Sequence, residues 1–161
     1  MTINKEALET SRLFSVWIPV WDAMLIVTYG NDHSFLKKSF QDQPEWSKKK
    51  KKSWIKQLDL IFSEKGTTGA CYMSNTQEQY HYIHIFRKND LGTMMNHLSH
   101  EILHMVFGLL RDRGLAHSMK SEETYTYLQG FLTQRICEQL FPDPEPEPEP
   151  EKKKKTKTKK K

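Results

Sequence analysis

The chain predicts an α+β domain, and three observations carry that reading. Phe14 to Tyr29 (FSVWIPVWDAMLIVTY) is dense in Val, Ile, Trp and Tyr, the residues of strands. Tyr80 to Arg87 alternates with the period of two that a strand imposes on its side chains. Four other stretches instead space their apolar residues as helix faces packed on a core do. A length of 161 residues suits one such domain, because a single core typically forms in roughly 100–200 residues. The expected organisation is one domain over residues 1–141 followed by a tail over 142–161.

Taken in order, Pro19 cannot donate to a ladder, so Phe14 to Tyr29 reads as two short strands or one with an irregular start. Gly30-Asn31-Asp32 closes it with turn chemistry. Phe35, Leu36 and Phe40 mark a short first helix, and Trp54, Ile55, Leu58, Ile61 and Phe62 a second, ended by Gly66. Residues Thr67 to Lys88 return to strand character. In Tyr80 to Arg87, one face carries Tyr80, Tyr82, His84 and Phe86, and the other His81, Ile83, Ile85 and Arg87. One of these faces is expected to pack on the domain and the other to meet solvent or a ligand. Asp90 or Thr93 is a candidate N-cap for a helix from about Thr93 to Arg113, where Leu98, Ile102, Val106 and Leu109 or Leu110 recur. Arg111 and Arg113 complement its dipole, and Gly114 is a natural stop. Ser121 opens a last helix that carries Leu128, Phe131, Leu132, Ile136 and Leu140 inward, until Phe141-Pro142. Four Pro-Glu pairs and a lysine-rich end follow with nothing apolar to bury, so the tail is expected to be extended and disordered.

The formal charge of +5 matters by where it sits. The tail holds eight Lys against five acids, and Lys48–Lys52 supplies five more, so the rest of the body is acidic by three charges. Basicity confined to two tracts argues against a nucleic-acid-binding fold. The five lysines read as a solvated loop or an exposed helix start, and the Lys-rich tail as at most a weak, nonspecific contact with nucleic acid or an acidic partner. Two cysteines, Cys71 and Cys137, make neither a disulfide framework nor a four-thiolate site. Met1 to Glu9 lacks the apolar core of a signal peptide, and Val16 to Tyr29 is too short and too interrupted to span a bilayer. The expected setting is cytoplasmic, without membrane insertion.

The chemically informative run is His100-Glu101-Ile102-Leu103-His104. Residues four apart on a helix lie one above the other, so both imidazoles project from one face and can share a tetrahedral cation. Glu101, one step round the helix, occupies the general-base position of zinc hydrolases with this spacing. Two histidines do not complete a catalytic zinc site, which usually takes three protein ligands and an open position. The next candidates are Glu122 and Glu123 at the start of the following helix, where a helix reversal returns an N-terminal turn toward the first helix. A His, His, Glu set selects zinc among common metals. His97 falls near the same face and reads as an ordinary polar position. His117, Tyr125 and Tyr127 are oxyanion candidates among which the spacing does not choose, and His84 reads as a surface or packing residue.

SHEILH followed by HSMKSEETYTYLQGFL resembles the gluzincin branch of the zincin metallopeptidases, and most closely the small phage-encoded zincin-like proteins. VWIPVWDAMLIVTYG and YHYIHIFRK are similar to the strands of that group, so the likeness runs from Phe14 to Leu140. It implies a compact zincin-like α+β domain in which a small mixed or antiparallel sheet packs on the HExxH helix and a C-terminal helix. It also implies zinc as the cofactor, with His100, His104 and Glu123 as ligands, Glu123 standing three residues before Thr126. Glu101 is then the base acting on a zinc-bound water to hydrolyse a peptide or protein substrate. Tyr127 stands where thermolysin-like gluzincins carry an Asp that orients a histidine. On this reading Tyr80 to Arg87 sits at the rim of the cleft and holds an extended peptide by strand addition. The competing reading is a catalytically inactive zincin-fold phage protein, structural or host-interacting, that retains a metal site.

Overall fold

The computed structural model describes residues 10–63, 69–75, 80–88 and 90–142. Strand β1 (Arg12–Ile18) and strand β2 (Ala23–Tyr29) form an antiparallel hairpin. Pro19 breaks the ladder between them: Pro19–Trp21 makes a single 3-10 turn, and Asp22, in the left-handed region at φ 46°, reverses the chain. Helices α1 (His33–Gln41) and α2 (Lys48–Ser63) follow, then strands β3 (Ala70–Asn75) and β4 (Tyr80–Ile85), helix α3 (Leu91–Asp112) and helix α4 (Glu122–Leu140). The strands lie in the order β1-β2-β4-β3, with β2 and β4 parallel and the two outer pairs antiparallel. The fold is therefore α+β with a four-stranded mixed sheet. The expected tail beyond Pro142, the stop at Gly66 and the turn residue Asn89 lie outside the described residues.

Alternation along the central strands divides the core in two. Leu25, Val27 and Tyr29 of β2 and Ile83 and Ile85 of β4 pack with Leu98, Ile102, Met105, Val106 and Leu109 of α3 and with the inner face of α4. Ile26 and Tyr82, on the opposite face, pack with Leu36 and Phe40 of α1 and Trp54, Leu58 and Ile61 of α2. Helices thus cover both faces of the sheet, as a parallel crossover requires.

This placement corrects the reading of Tyr80 to Arg87. The residues alternate as expected, but His81, Tyr82, Ile83, His84 and Ile85 are all buried, so neither face meets solvent. Both edges of β4 are also paired, to β2 and to β3, which leaves no backbone to accept an added strand. The expected rim strand is a central one. Among the described residues the open edge beside α3 belongs to β3, whose Gly69 end lies against His97 and whose Tyr72 reaches Gly108.

Local chemistry fixes the helix ends. The Asp90 carboxylate accepts the amides of Gly92 and Thr93 and so caps α3, which begins two residues before the expected Thr93. Gly114 (φ +75°) takes the left-handed turn after it. Ser47 accepts from the Lys50 amide at the start of α2, placing Lys48–Lys52 on its exposed first turns, with Lys50 over the Trp46 ring and Lys51 donating to the Gln41 carbonyl. No helix among the described residues is long and apolar enough to cross a membrane.

Candidate metal and catalytic site

Helix α3 presents two unlike faces. Its buried face is the apolar row from Met94 to Leu110, while His100, Leu103, His104 and Phe107 are exposed. His100, His104, Phe107 and Arg111 recur at intervals of four, three and four residues, which is one continuous stripe along the helix. Within it the two imidazoles meet: Nε2 of His104 lies 3.0 Å from Nε2 of His100, with the rings edge-on at 82°. Two nitrogens at about 2.0–2.1 Å from a tetrahedral zinc stand roughly 3.3 Å apart, so a slight opening of the pair fits two vertices of such a site. Glu101 is only 9% exposed, turned from the stripe toward the body of the protein.

The third vertex is not assembled. Among the described residues no group of three His, Cys, Asp or Glu side chains is placed to hold a metal ion. Glu122 and Glu123 occupy the first turn of α4, both exposed, where their charge complements the helix dipole. The structure thus brings His100 and His104 together and leaves Glu123 and Glu122 outside that pair.

The loop between α3 and α4 is held by Ser121. Its hydroxyl donates to the Ala116 carbonyl (2.7 Å) and accepts from the Ser118 amide (2.9 Å), making no cap bond to α4. That loop closes an apolar pocket of about 390 Å³ beside the stripe, lined by Phe107, Arg111, Leu115, Ala116, His117 and Tyr125. Its three rings pack on one another, with centroids 4.8 Å apart for His117–Tyr125, 5.0 Å for Phe107–Tyr125 and 5.5 Å for Phe107–His117. The Tyr125 hydroxyl donates to the Leu115 carbonyl at 2.9 Å and is engaged in holding the loop. Tyr127 points away, 71% exposed. Sequence reasoning raised His117 and Tyr125 singly and missed Phe107, although its position three residues beyond His104 places it on the ligand face.

Other histidines take structural places. His81 accepts from or donates to the Tyr72 hydroxyl through Nδ1 (2.8 Å), and burial lowers its pKa. His84 bonds Thr28 Oγ1 through Nδ1 (2.8 Å), and burial, followed by repulsion from His33, pushes its pKa down to about 3. Thr28 also bonds the Tyr82 hydroxyl at 2.6 Å, so one threonine on β2 satisfies two polar groups of β4. The His97 ring packs against the backbone at Gly69, where a methyl group would stand 2.8 Å from the imidazole. Cys71 and Cys137 are half-buried and not joined to each other, and burial raises the Cys137 pKa.

The chain matches no family model, and no curated protein or solved structure is detectably similar to it.

Proposed function

We propose that this protein is a zinc-dependent metallopeptidase of zincin-like, gluzincin type, acting on a peptide or protein substrate. The observation that carries the reading is the meeting of His100 and His104 nitrogens at 3.0 Å on a solvent-facing stripe, with Glu101 between them in sequence. His100 and His104 would hold the metal, and Glu123, or its neighbour Glu122, would supply a third donor by a shift of the first turn of α4. Zinc bound there supplies a Lewis acid for a scissile carbonyl and lowers the pKa of water toward about 7. Glu101 accepts a proton at a carboxylate oxygen and returns it to the departing amine. Its burial, at 9% exposure, keeps that carboxylate away from bulk water, and a turn of the side chain toward the histidine face would bring it to the reacting carbonyl. The outer edge of β3, unpaired among the described residues and beside α3, offers backbone groups to an extended substrate.

A second reading is a zincin-fold phage protein, structural or host-interacting, that retains metal without turnover. It draws support from the absence of a third donor beside the histidine pair among the described residues. Zinc-loaded protein incubated with a peptide mixture, followed by mass spectrometry, separates the two. The peptidase reading expects cleavage by the wild type and none by Glu101→Gln at equal zinc content. Equal product patterns from both proteins would contradict it.

A further inference from the structure

We infer that the pocket beside the stripe takes the C-terminal aromatic residue of a peptide, its ring against the cluster of Phe107, His117 and Tyr125 and its free carboxylate on Arg111. The inference rests on the peptidase reading and narrows its substrate class to peptides trimmed from the C-terminal end.

Position is the first argument. Phe107 stands three residues beyond His104 on the same face, about 4.5 Å along the axis at the rise of an α-helix. An extended residue advances about 3.4 Å. A peptide with its scissile carbonyl at the histidine pair therefore delivers the next side chain to Phe107. The second argument is chemistry. The pocket is apolar, about 390 Å³, and walled by three rings, a set that favours a further ring in offset or edge-on contact. The third is charge. Arg111 lines this same pocket, is 77% exposed, and has its Nε 3.8 Å from Asp112, the outer limit of an ion pair. Guanidinium favours carboxylate in a forked, charge-assisted pair, so one ligand residue can satisfy the rings and the cation together. The loop of Leu115, Ala116 and His117, anchored by Ser121 and by the Tyr125 hydroxyl, forms one wall of this pocket, and the inference requires that wall to stop a longer peptide. Hydrolysis then adds the hydroxyl of water to the upstream carbonyl carbon, breaks the C–N bond and gives the proton to the amine of the released amino acid.

The test uses the full chain as the zinc-loaded Glu101→Gln variant, titrated with N-acetylphenylalanine, its amide, and N-acetylalanine while the His117 ring is followed by NMR. Saturable shifts are expected with N-acetylphenylalanine, and binding about tenfold weaker for the amide and for the alanine compound. Adding Arg111→Gln, an exposed change that spares folding, should bring the acid down to the level of the amide. Equal binding of acid and amide, or a preference that survives Arg111→Gln, would overturn the inference. Cleavage supplies the separate readout: a wild type that cuts C-terminally amidated peptides as fast as free ones keeps the peptidase reading and removes this one. Acid-selective binding at His117 with no cleavage of any peptide would preserve the pocket and defeat the peptidase reading instead.

Discussion

Two pairs of histidines, His81 and His84 on β4 and His100 and His104 on α3, are the same chemistry in opposite surroundings. The strand pair is buried, each ring bonded through Nδ1 to a hydroxyl, and desolvation holds both rings neutral. On the helix the pair is exposed, and its nitrogens face each other with no other side chain between them at 3.0 Å. A buried imidazole with a fixed hydroxyl partner stabilises or destabilises the fold with pH. An exposed pair one helical turn apart offers lone pairs to a ligand. Burial, more than residue type, separates the structural histidines from the proposed ligands.

The sharpest way to break this contrast is at the function of α3. Glu101→Gln is expected to lower peptide hydrolysis by about 10²–10⁴-fold, the usual worth of a positioned general base, while circular dichroism and zinc content stay as in the wild type. A variant that retained turnover would remove Glu101 from the chemistry.

The next largest effect concerns the strand pair. An unfolded histidine titrates near 6.5, whereas folded His84 is pushed down to about 3. Between those values the unfolded chain binds a proton that the folded chain refuses, so stability falls as pH falls, by up to about 1.4 kcal/mol per pH unit. Urea midpoints at pH 7 and pH 5 measure the slope. His84→Leu should flatten it, since Thr28 keeps its bond to Tyr82, and an unchanged slope would contradict the assignment.

Smaller effects probe how α3 is seated. A methyl group at Gly108 would collide with the Tyr72 hydroxyl and force it off His81, so Gly108→Ala should cost about 1–3 kcal/mol in a denaturant titration. Asp90→Ala, which strips two amides of their cap, should cost about 1 kcal/mol by the same assay and leave zinc binding intact.

The sequence made α3 legible because a long amphipathic row, an Asp cap and a trailing Gly agree with one another. His100 and His104 were legible for the same reason, as spacing on one helix is local geometry. The place of β4 was not. Its alternation of Tyr and His with Ile reads as a strand with one wet face, and it is Thr28, more than fifty residues away, that bonds the Tyr82 hydroxyl and Nδ1 of His84 where they are buried. The Phe107–His117–Tyr125 pocket likewise depends on how the α3–α4 loop is folded, through Ser121 bonds that no periodicity announces.

The most direct measurement is elemental analysis of purified wild type beside His100→Ala, His104→Ala and Glu123→Ala. About one zinc per chain in the wild type, lost in both histidine variants, is the predicted result. Loss in Glu123→Ala as well would identify the third ligand, whereas retention would assign it to Glu122 or another group. Zinc absent from the wild type under non-chelating conditions, or retained in both histidine variants, would contradict the account and leave His100 and His104 as two polar residues on an exposed helix face.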